Sequence, residues 1–464
     1  MEREIIDYRK KIENGEKVED VVRGVFERIG DDPYGVFISL NKDTALARAG
    51  ELDKKEKDKR GRLFGLPILV KDNILTEGLR TTCASKMLED YIPSYSASLV
   101  KRLEEEDAII IGKTNMDEFA MGSNSESSYF HPTKNPIDPS LSPGGSSSGS
   151  GAGQRLGYAF VSIGTDTGGS VRQPASFSSI IGYKPSYGLI SRYGVVSMAN
   201  TLDQVGIFSN NVIDLVSVLN VVGGYDELDD TSIRRGVDFK LEKFDDLNGI
   251  RVGIVKEEDY WDEKVKEDYR RAIEIFRKLG CEVSETSFKN KKYFSPAYSV
   301  ISTSEASSNL SRFDGIRYGY LAEDYDDLND LYKKTRSIGF GEEVQRRIAM
   351  GMYYLGSSFD RKIYEKALTA RKLIVDELEK SFESFDIILS PSATSLPEKQ
   401  FSNTLGTVGN FTQGDYHVLA NLIGSPAISL PMNEGIGGSV QLIAKKFDDQ
   451  KLLSIANRFF EEVR

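Results

Sequence analysis

From Leu63 onward, short uninterrupted apolar runs alternate with stretches of helical spacing. Leu66-Pro67-Ile68-Leu69-Val70 ends at Lys71-Asp72-Asn73, a helical stretch around Val100 and Leu103 leads to Ala108-Ile109-Ile110-Ile111, and Ala159-Phe160-Val161-Ser162-Ile163 runs into Gly164. Short runs that are apolar at nearly every position suit strands buried on both faces, and their alternation with helices predicts a largely parallel α/β sheet covered on both sides. The alternation returns in Ile250 to Val255, a helix through Tyr269 to Leu279, and Cys281 to Val283. A mostly helical stretch from about 300 to 385 is followed by Ile387-Ile388-Leu389, Ala427 to Leu430, Val440 to Ala444 and a closing helix from Gln450 to Val463. Upstream, Val18, Val21, Val22, Val25 and Ile29 fall at helical spacing after a break at Asn14-Gly15. We therefore expect residues 1–62 to form an N-terminal helical segment packed on the core. Residues 63–464 are expected to form one large α/β domain with a helical insertion at about 300–385.

Composition narrows the function classes. The 464 residues carry a formal net charge of −11, so the chain lacks the cationic surplus needed to clamp a nucleic acid by itself. The N-terminus has no apolar signal core, and no apolar run approaches the ~18 residues that span a bilayer, which predicts a cytoplasmic protein without a membrane association. Cys83 and Cys281 have no metal-site or disulfide-framework spacing and read as reduced core residues.

With only two histidines, His131 and His417, neither within a serine motif, histidine triads and histidine-rich metal sites are disfavoured and lysine becomes the candidate base. Lys71 follows an apolar strand, a setting that desolvates an ammonium; to be neutral near pH 7 its pKa must fall by roughly 3, about 4 kcal/mol. Alternatively it is a lysine snorkelling out at a strand end. In Gly164-Thr-Asp-Thr-Gly-Gly-Ser170-Val-Arg-Gln-Pro-Ala175 the paired glycines let backbone N–H groups turn toward a developing oxyanion, or else Ser170 and Gln173 form a helix capping box. The Gly/Ser-rich stretch from Pro143 to Gly153 is a linker, a phosphate cradle or an active-site loop. Flanking strands argue against a linker, and neither it nor Gly112-Lys113-Thr114 completes a nucleotide-binding fingerprint.

Taken together, Lys71 after Gly-Leu-Pro-Ile-Leu-Val, Ser146 in Pro-Gly-Gly-Ser-Ser and Ser170 in Asp-Thr-Gly-Gly-Ser resemble the amidase signature family. Ser146 and Ser170 are 24 residues apart and Lys71 and Ser170 are 99 apart, as in that family. Within it, Gly112 to Gly122, Ser304 to Gly315 and Gly341 to Ile348 resemble the glutamine-splitting subunits of tRNA-dependent amidotransferases.

The resemblance implies a large mixed central sheet with helices on both faces and a Ser-Ser-Lys mechanism. Ser170 is the implied nucleophile, Ser146 the proton relay (with a cis peptide bond at that serine) and Lys71 the base. The backbone N–H groups of Thr167, Gly168, Gly169 and Ser170 form the implied oxyanion hole. Arg347 is implied for the glutamine carboxylate, with Tyr298 beside it and Asp415, one residue short of the family spacing, for the ammonium. Asp166 and Arg172 are expected to pair as a brace, and Asn309, like Arg347, marks the amino-acid-using members. Ser148 replaces a family glycine, at a cost on the order of 1 kcal/mol if that position needs φ > 0. The resemblance implies no cofactor or metal in this chain. It also implies B and C partner subunits, of which one uses ATP and Mg to amidate Glu-tRNA(Gln) or Asp-tRNA(Asn), with tRNA contacted mainly through the partner. The alternatives are a stand-alone amidase acting on another small amide and a non-catalytic assembly scaffold.

Overall fold

The computed structural model describes residues 5–234, 236–356, 362–402 and 415–464. Among the described residues eleven strands form one sheet: β1 (Phe37–Leu40), β2 (Pro67–Lys71), β3 (Ile109–Thr114), β4 (Val161–Asp166), β5 (Ile181–Lys184), β6 (Gln204–Ser209), β7 (Arg251–Val255), β8 (Glu282–Thr286), β9 (Ile387–Pro391), β10 (Ala427–Pro431) and β11 (Ser439–Ala444). Their order is β1-β3-β2-β4-β6-β5-β10-β11-β9-β7-β8. Every residue of β2, β3, β4 and β6 is buried, so helices and loops cover both faces there, whereas β8 is an exposed edge.

The apolar runs mark their strands, but the sheet is mixed rather than largely parallel. Only β3-β2-β4 and β9-β7-β8 run parallel, and the strands between β4 and β9 pair antiparallel. The seven residues between β10 and β11 are too few for a crossover helix, which leaves the antiparallel hairpin as the connection. Strands β5 and β6 carry Gly182, Lys184, Gln204 and Gly206 among their apolar residues, so neither reads as an apolar run.

Residues 1–62 contain the expected helix Val18–Ile29, which buries Val18, Val22, Val25, Phe26 and Ile29. They are not purely helical, because β1 pairs antiparallel with β3 and makes this segment an edge of the central sheet. The helices Phe294–Leu310, Leu328–Gly339, Glu342–Leu355 and Lys362–Ser384 occupy the helical stretch.

The Gly/Ser-rich segment resolves into a loop and then a helix, Ser148–Leu156, although Ser-Gly-Ser-Gly-Ala-Gly has poor helix propensity. Close packing explains the composition: a Cβ on Gly149 would lie 2.4 Å from Val36 O and 2.6 Å from Asn115 N. Only a helix without side chains on that face fits there. Ser148 is part of this helix and is not among the residues with positive φ, so its replacement of glycine carries no backbone strain.

Candidate active site

Parallel pairing places the chemistry at the carboxyl ends of β2 and β4, where α/β sheets present functional groups. Val70 pairs with Ile163, so Lys71 at the end of β2 is level with Gly164 on β4, one residue before Thr165. Lys71 is fully buried, and its Nζ is 2.8 Å from Ser146 Oγ, 2.8 Å from Ser147 Oγ and 3.0 Å from Thr165 Oγ1. It does not snorkel to solvent. Burial pulls its pKa down to about 7, while the charges of Asp117, Asp166 and Asp203 work in the opposite direction. The amine therefore exchanges its proton near neutrality.

The three hydroxyls are not equivalent. Ser147 donates its proton to Thr165 O at 3.1 Å, and Thr165 Oγ1 also accepts from Asn73 Nδ2 at 3.1 Å. Among the described residues Ser146 Oγ has Lys71 as its one hydrogen-bond partner. The Ser146 hydroxyl can thus give its proton to the neutral amine and take one back.

Ser146 follows a cis Gly145–Ser146 peptide bond. Its loop is fastened to the Ser170 loop twice, by Ser147 N donating to Ser170 O at 3.2 Å and Gly145 N donating to Gln173 Oε1 at 3.3 Å. Ser170 does not cap a helix: the short helix Arg172–Phe177 starts after Val171 and has no side-chain cap. The Ser170 loop is organised by Asp166, whose carboxylate accepts from Gly169 N at 2.9 Å and Val171 N at 3.1 Å and pairs with Arg172 Nη2 at 2.8 Å. Burial pushes the Asp166 carboxyl up, but the Arg172 guanidinium, Lys184 and the Gly169 N–H outweigh it and hold the group below the usual carboxylate range.

The oxyanion expectation needs one correction. The Gly169 N–H is directed at Asp166 Oδ1 and is not available to a substrate oxygen. That leaves Thr167, Gly168 and Ser170 as candidate donors. Thr167 is itself held by its hydroxyl, which donates to Asp203 Oδ1 at 2.7 Å.

Both loop glycines are sterically required. A Cβ on Gly168 would lie 2.5 Å from the Tyr298 Cζ and Oη, and Gly169 has φ 117° with its missing Cβ 2.8 Å from His417. We expect Gly168→Ala to displace the Tyr298 ring at a cost of about 1–3 kcal/mol and to lower kcat/KM at least ~10-fold. Steady-state kinetics and a thermal melt on the purified variant check this.

Ser170, Gly168 and Gly169 line a cleft of about 770 Å³ that also takes in Tyr298, Arg347 and His417. Arg347 Nε donates to Glu343 Oε1 at 2.7 Å, an (i, i+4) pair within the helix Glu342–Leu355. Burial raises the Tyr298 pKa, with Arg347 opposing, so the phenol is neutral. Asp415 opens the helix Asp415–Ile423, and its side chain lies outside the described residues. His417 is buried in the cleft wall. Burial, reinforced by Arg172, pulls its pKa down to about 3, so its imidazole is neutral. His131 stands 3.2 Å from Asn115 Nδ2 in a loop contact.

Asn309 is not in this cleft. It donates to Met198 O at 3.0 Å and accepts from Asn200 and Arg312, bracing a neighbouring surface. Ser147, Thr165 and Asp203 were not singled out from sequence. Thr165 stands inside the Gly164–Ala175 stretch and Ser147 adjoins Ser146, but only their side-chain contacts in the folded chain show that both reach Lys71. Among the described residues no cluster of three or more His, Cys, Asp or Glu side chains could hold a metal ion, and no helix is long and apolar enough to cross a membrane.

A sheet of this topology, with a buried lysine bonded to a serine in one glycine-rich loop and a second serine in the next, defines an amidase-type hydrolytic site. The chain belongs to the amidase family, whose model, Amidase, matches residues 20–453. It is 44% identical over 451 residues to the A subunit of the glutamyl-tRNA(Gln) amidotransferase of Caldanaerobacter subterraneus subsp. tengcongensis, covering 95% of this chain and 92% of the relative. It is likewise 44% identical over 465 residues to the corresponding protein of Fusobacterium nucleatum subsp. nucleatum, covering 98% and 95%. Among solved structures it is similar to the glutamyl-tRNA(Gln) amidotransferase A subunit of Thermotoga maritima, with a TM-score of 0.80 at 36% identity over 96% of this chain and 91% of that one. A peptide amidase at 24% identity and TM-score 0.82 shares the fold.

Proposed function

We propose that this chain is the glutamine-hydrolysing subunit of a tRNA-dependent amidotransferase. The observation that most supports this reading is the buried Lys71 Nζ at 2.8 Å from Ser146 Oγ, in a loop tied to Ser170 beside the cleft that Arg347 lines. Similarity to glutamyl-tRNA(Gln) amidotransferase relatives over nearly the full length supports the choice of substrate and assembly.

In the proposed reaction Ser170 Oγ attacks the side-chain amide carbon of glutamine. Its proton passes to Ser146 Oγ as the Ser146 proton passes to Lys71 Nζ, and the carbonyl oxygen becomes an oxyanion held by the backbone N–H groups of Thr167, Gly168 and Ser170. When the intermediate collapses, the C–N bond breaks and Lys71 returns the proton through Ser146 to the leaving nitrogen, which departs as ammonia. Water attacks the γ-glutamyl ester on Ser170 by the same relay, releasing glutamate. Arg347 takes the α-carboxylate, with Tyr298 beside it and Asp415 toward the α-ammonium. The ammonia passes to a partner in a cytoplasmic complex with B and C subunits. There ATP and Mg activate the carboxylate of Glu-tRNA(Gln) or Asp-tRNA(Asn), and the tRNA is held mainly by that partner. This chain itself uses no cofactor.

The test is ammonia release from glutamine by the chain purified with its partner subunits. Ser170→Ala is expected to abolish release, and Arg347→Ala to raise the KM for glutamine about 10–100-fold, the loss of one charge-assisted pair. A well-folded complex that releases no ammonia, or an S170A complex that retains activity, overturns the mechanism.

A further inference from the structure

The segments Gly112 to Gly122 and Gly341 to Ile348 have no part in the bond-breaking steps, yet they meet at one buried carboxylate. Glu118 is 2% exposed at the edge of the cleft. It accepts the Ser85 hydroxyl, and it accepts the Gly341 N–H at 2.9 Å on Oε2 and 3.2 Å on Oε1. Gly341 is the N-cap of the helix Glu342–Leu355, which bears Arg347. Beside this contact Phe119 packs edge-on against Phe313 and Phe340, with ring centroids 4.9 and 5.6 Å away. The preceding residue, Asp117, donates its N–H to Ser146 O at 3.2 Å. Consecutive residues therefore touch the relay loop on one side and the start of the Arg347 helix on the other.

We propose that Glu118 is a positioning residue for Arg347, holding the start of the Glu342–Leu355 helix so that the guanidinium faces the amide-binding cleft. An α-helix moves as a rigid rod over two turns, so displacement at Gly341 is carried to Arg347, six residues on. Glu343, which pairs with Arg347, is on the same helix and moves with it, so it cannot register the guanidinium against the Ser170 loop. Glu118 can, because it belongs to the segment bonded to Ser146. Burial raises the Glu118 carboxyl to about 7 against the Ser85 hydroxyl and the Gly341 N–H, and in either protonation state a carboxyl oxygen accepts at the helix end, where backbone N–H groups lack intrahelical acceptors.

The inference rests on Arg347 reading the substrate carboxylate, and the experiment separates the two. The chain is purified with its partner subunits as Glu118→Ala, Glu118→Gln and Glu118→Asp. Ammonia release is then measured from glutamine and from 4-aminobutanamide, which is glutamine without its α-carboxylate.

E118A is expected to raise the KM for glutamine at least ~10-fold, with kcat within about twofold and kcat/KM for 4-aminobutanamide unchanged. E118Q keeps a carbonyl acceptor for Gly341 N–H and is expected to bring KM back to within about threefold of the unmutated protein. An unchanged glutamine KM in E118A, or an equal fall in kcat/KM for both substrates, overturns the proposal. If E118A fails to fold, E118D decides: its shortened carboxylate cannot reach Gly341, and an unchanged glutamine KM then overturns it. If Arg347→Ala raises KM and the Glu118 variants do not, this inference alone falls. If Arg347→Ala leaves KM unmoved, the reading beneath it falls as well.

Discussion

Lys71→Ala is expected to reduce glutamine hydrolysis by about 10⁴–10⁶-fold, the range seen when one member of a catalytic set that acts as a unit is removed. The physical reason lies in the proton inventory around Nζ. Of the three hydroxyls that touch Lys71, Ser147 has committed its proton to Thr165 O and Thr165 also accepts from Asn73, which leaves Ser146 to carry the proton in the proposed transfer from Ser170 to the base. No other basic side chain touches these hydroxyls among the described residues.

The same arrangement sets a pH dependence. Burial depresses Lys71 to about 7, so the fraction holding a free lone pair falls as pH drops below that value and rises above it. The limb of kcat/KM for glutamine should therefore climb about tenfold per pH unit below pH 7 and level off above it. Lys71→Arg provides the sharper control. It keeps the positive charge and the donors, but a guanidinium does not deprotonate in this range, so the variant should be as inactive as the alanine. A pH profile flat from about 5.5 to 8.5 in the unmutated complex, or appreciable activity in K71R, contradicts the lysine base.

Arg172→Ala is expected to destabilise the chain by about 3–5 kcal/mol and to eliminate glutaminase activity with it, because it leaves the Asp166 carboxylate buried without its counter-ion. Both side chains are fully buried. The guanidinium is used on several sides, pairing with Asp166 and donating to His417 O at 3.0 Å, Gln441 Oε1 at 2.6 Å and Asn421 Oδ1 at 2.6 Å. These contacts tie the Ser170 loop to β11 and to the helix Asp415–Ile423. Arg172→Lys preserves the charge but not the fork, so it should recover part of the stability and little of the activity. Denaturant unfolding midpoints beside ammonia release from glutamine check both. An R172A chain as stable as its parent removes the brace from the account.

The apolar runs were legible because a strand buried on both faces needs side chains without polar atoms on both. Leu66 to Val70 and Ile109 to Ile111 declare β2 and β3 for that reason. Strands β5 and β6 were not legible, since Lys184, Gln204 and their glycines break up any apolar run and only the antiparallel partners define them as strands. Strand β1 was likewise hidden among helices, its pairing with β3 being a contact more than seventy residues away in the chain. The Ser148–Leu156 helix contradicts local propensity because packing against Val36 and Asn115 admits no side chain on one face.

Near absence of histidine turned the reading toward lysine, but Lys71 and Ser170 each kept a structural alternative until their spacing to Ser146 and to one another matched the amidase signature family, and that resemblance is what implies the three side chains. Covalent order carries residue identity and spacing, and those are what nucleophile, relay and base require. Which hydroxyls share Lys71, that the Gly169 N–H is taken by Asp166, that Asn309 stands away from the cleft, and that Glu118 meets the start of the Arg347 helix were decided only by the tertiary structure. Each depends on hydrogen bonds between atoms that the sheet order, and not the chain, brings within about 3 Å.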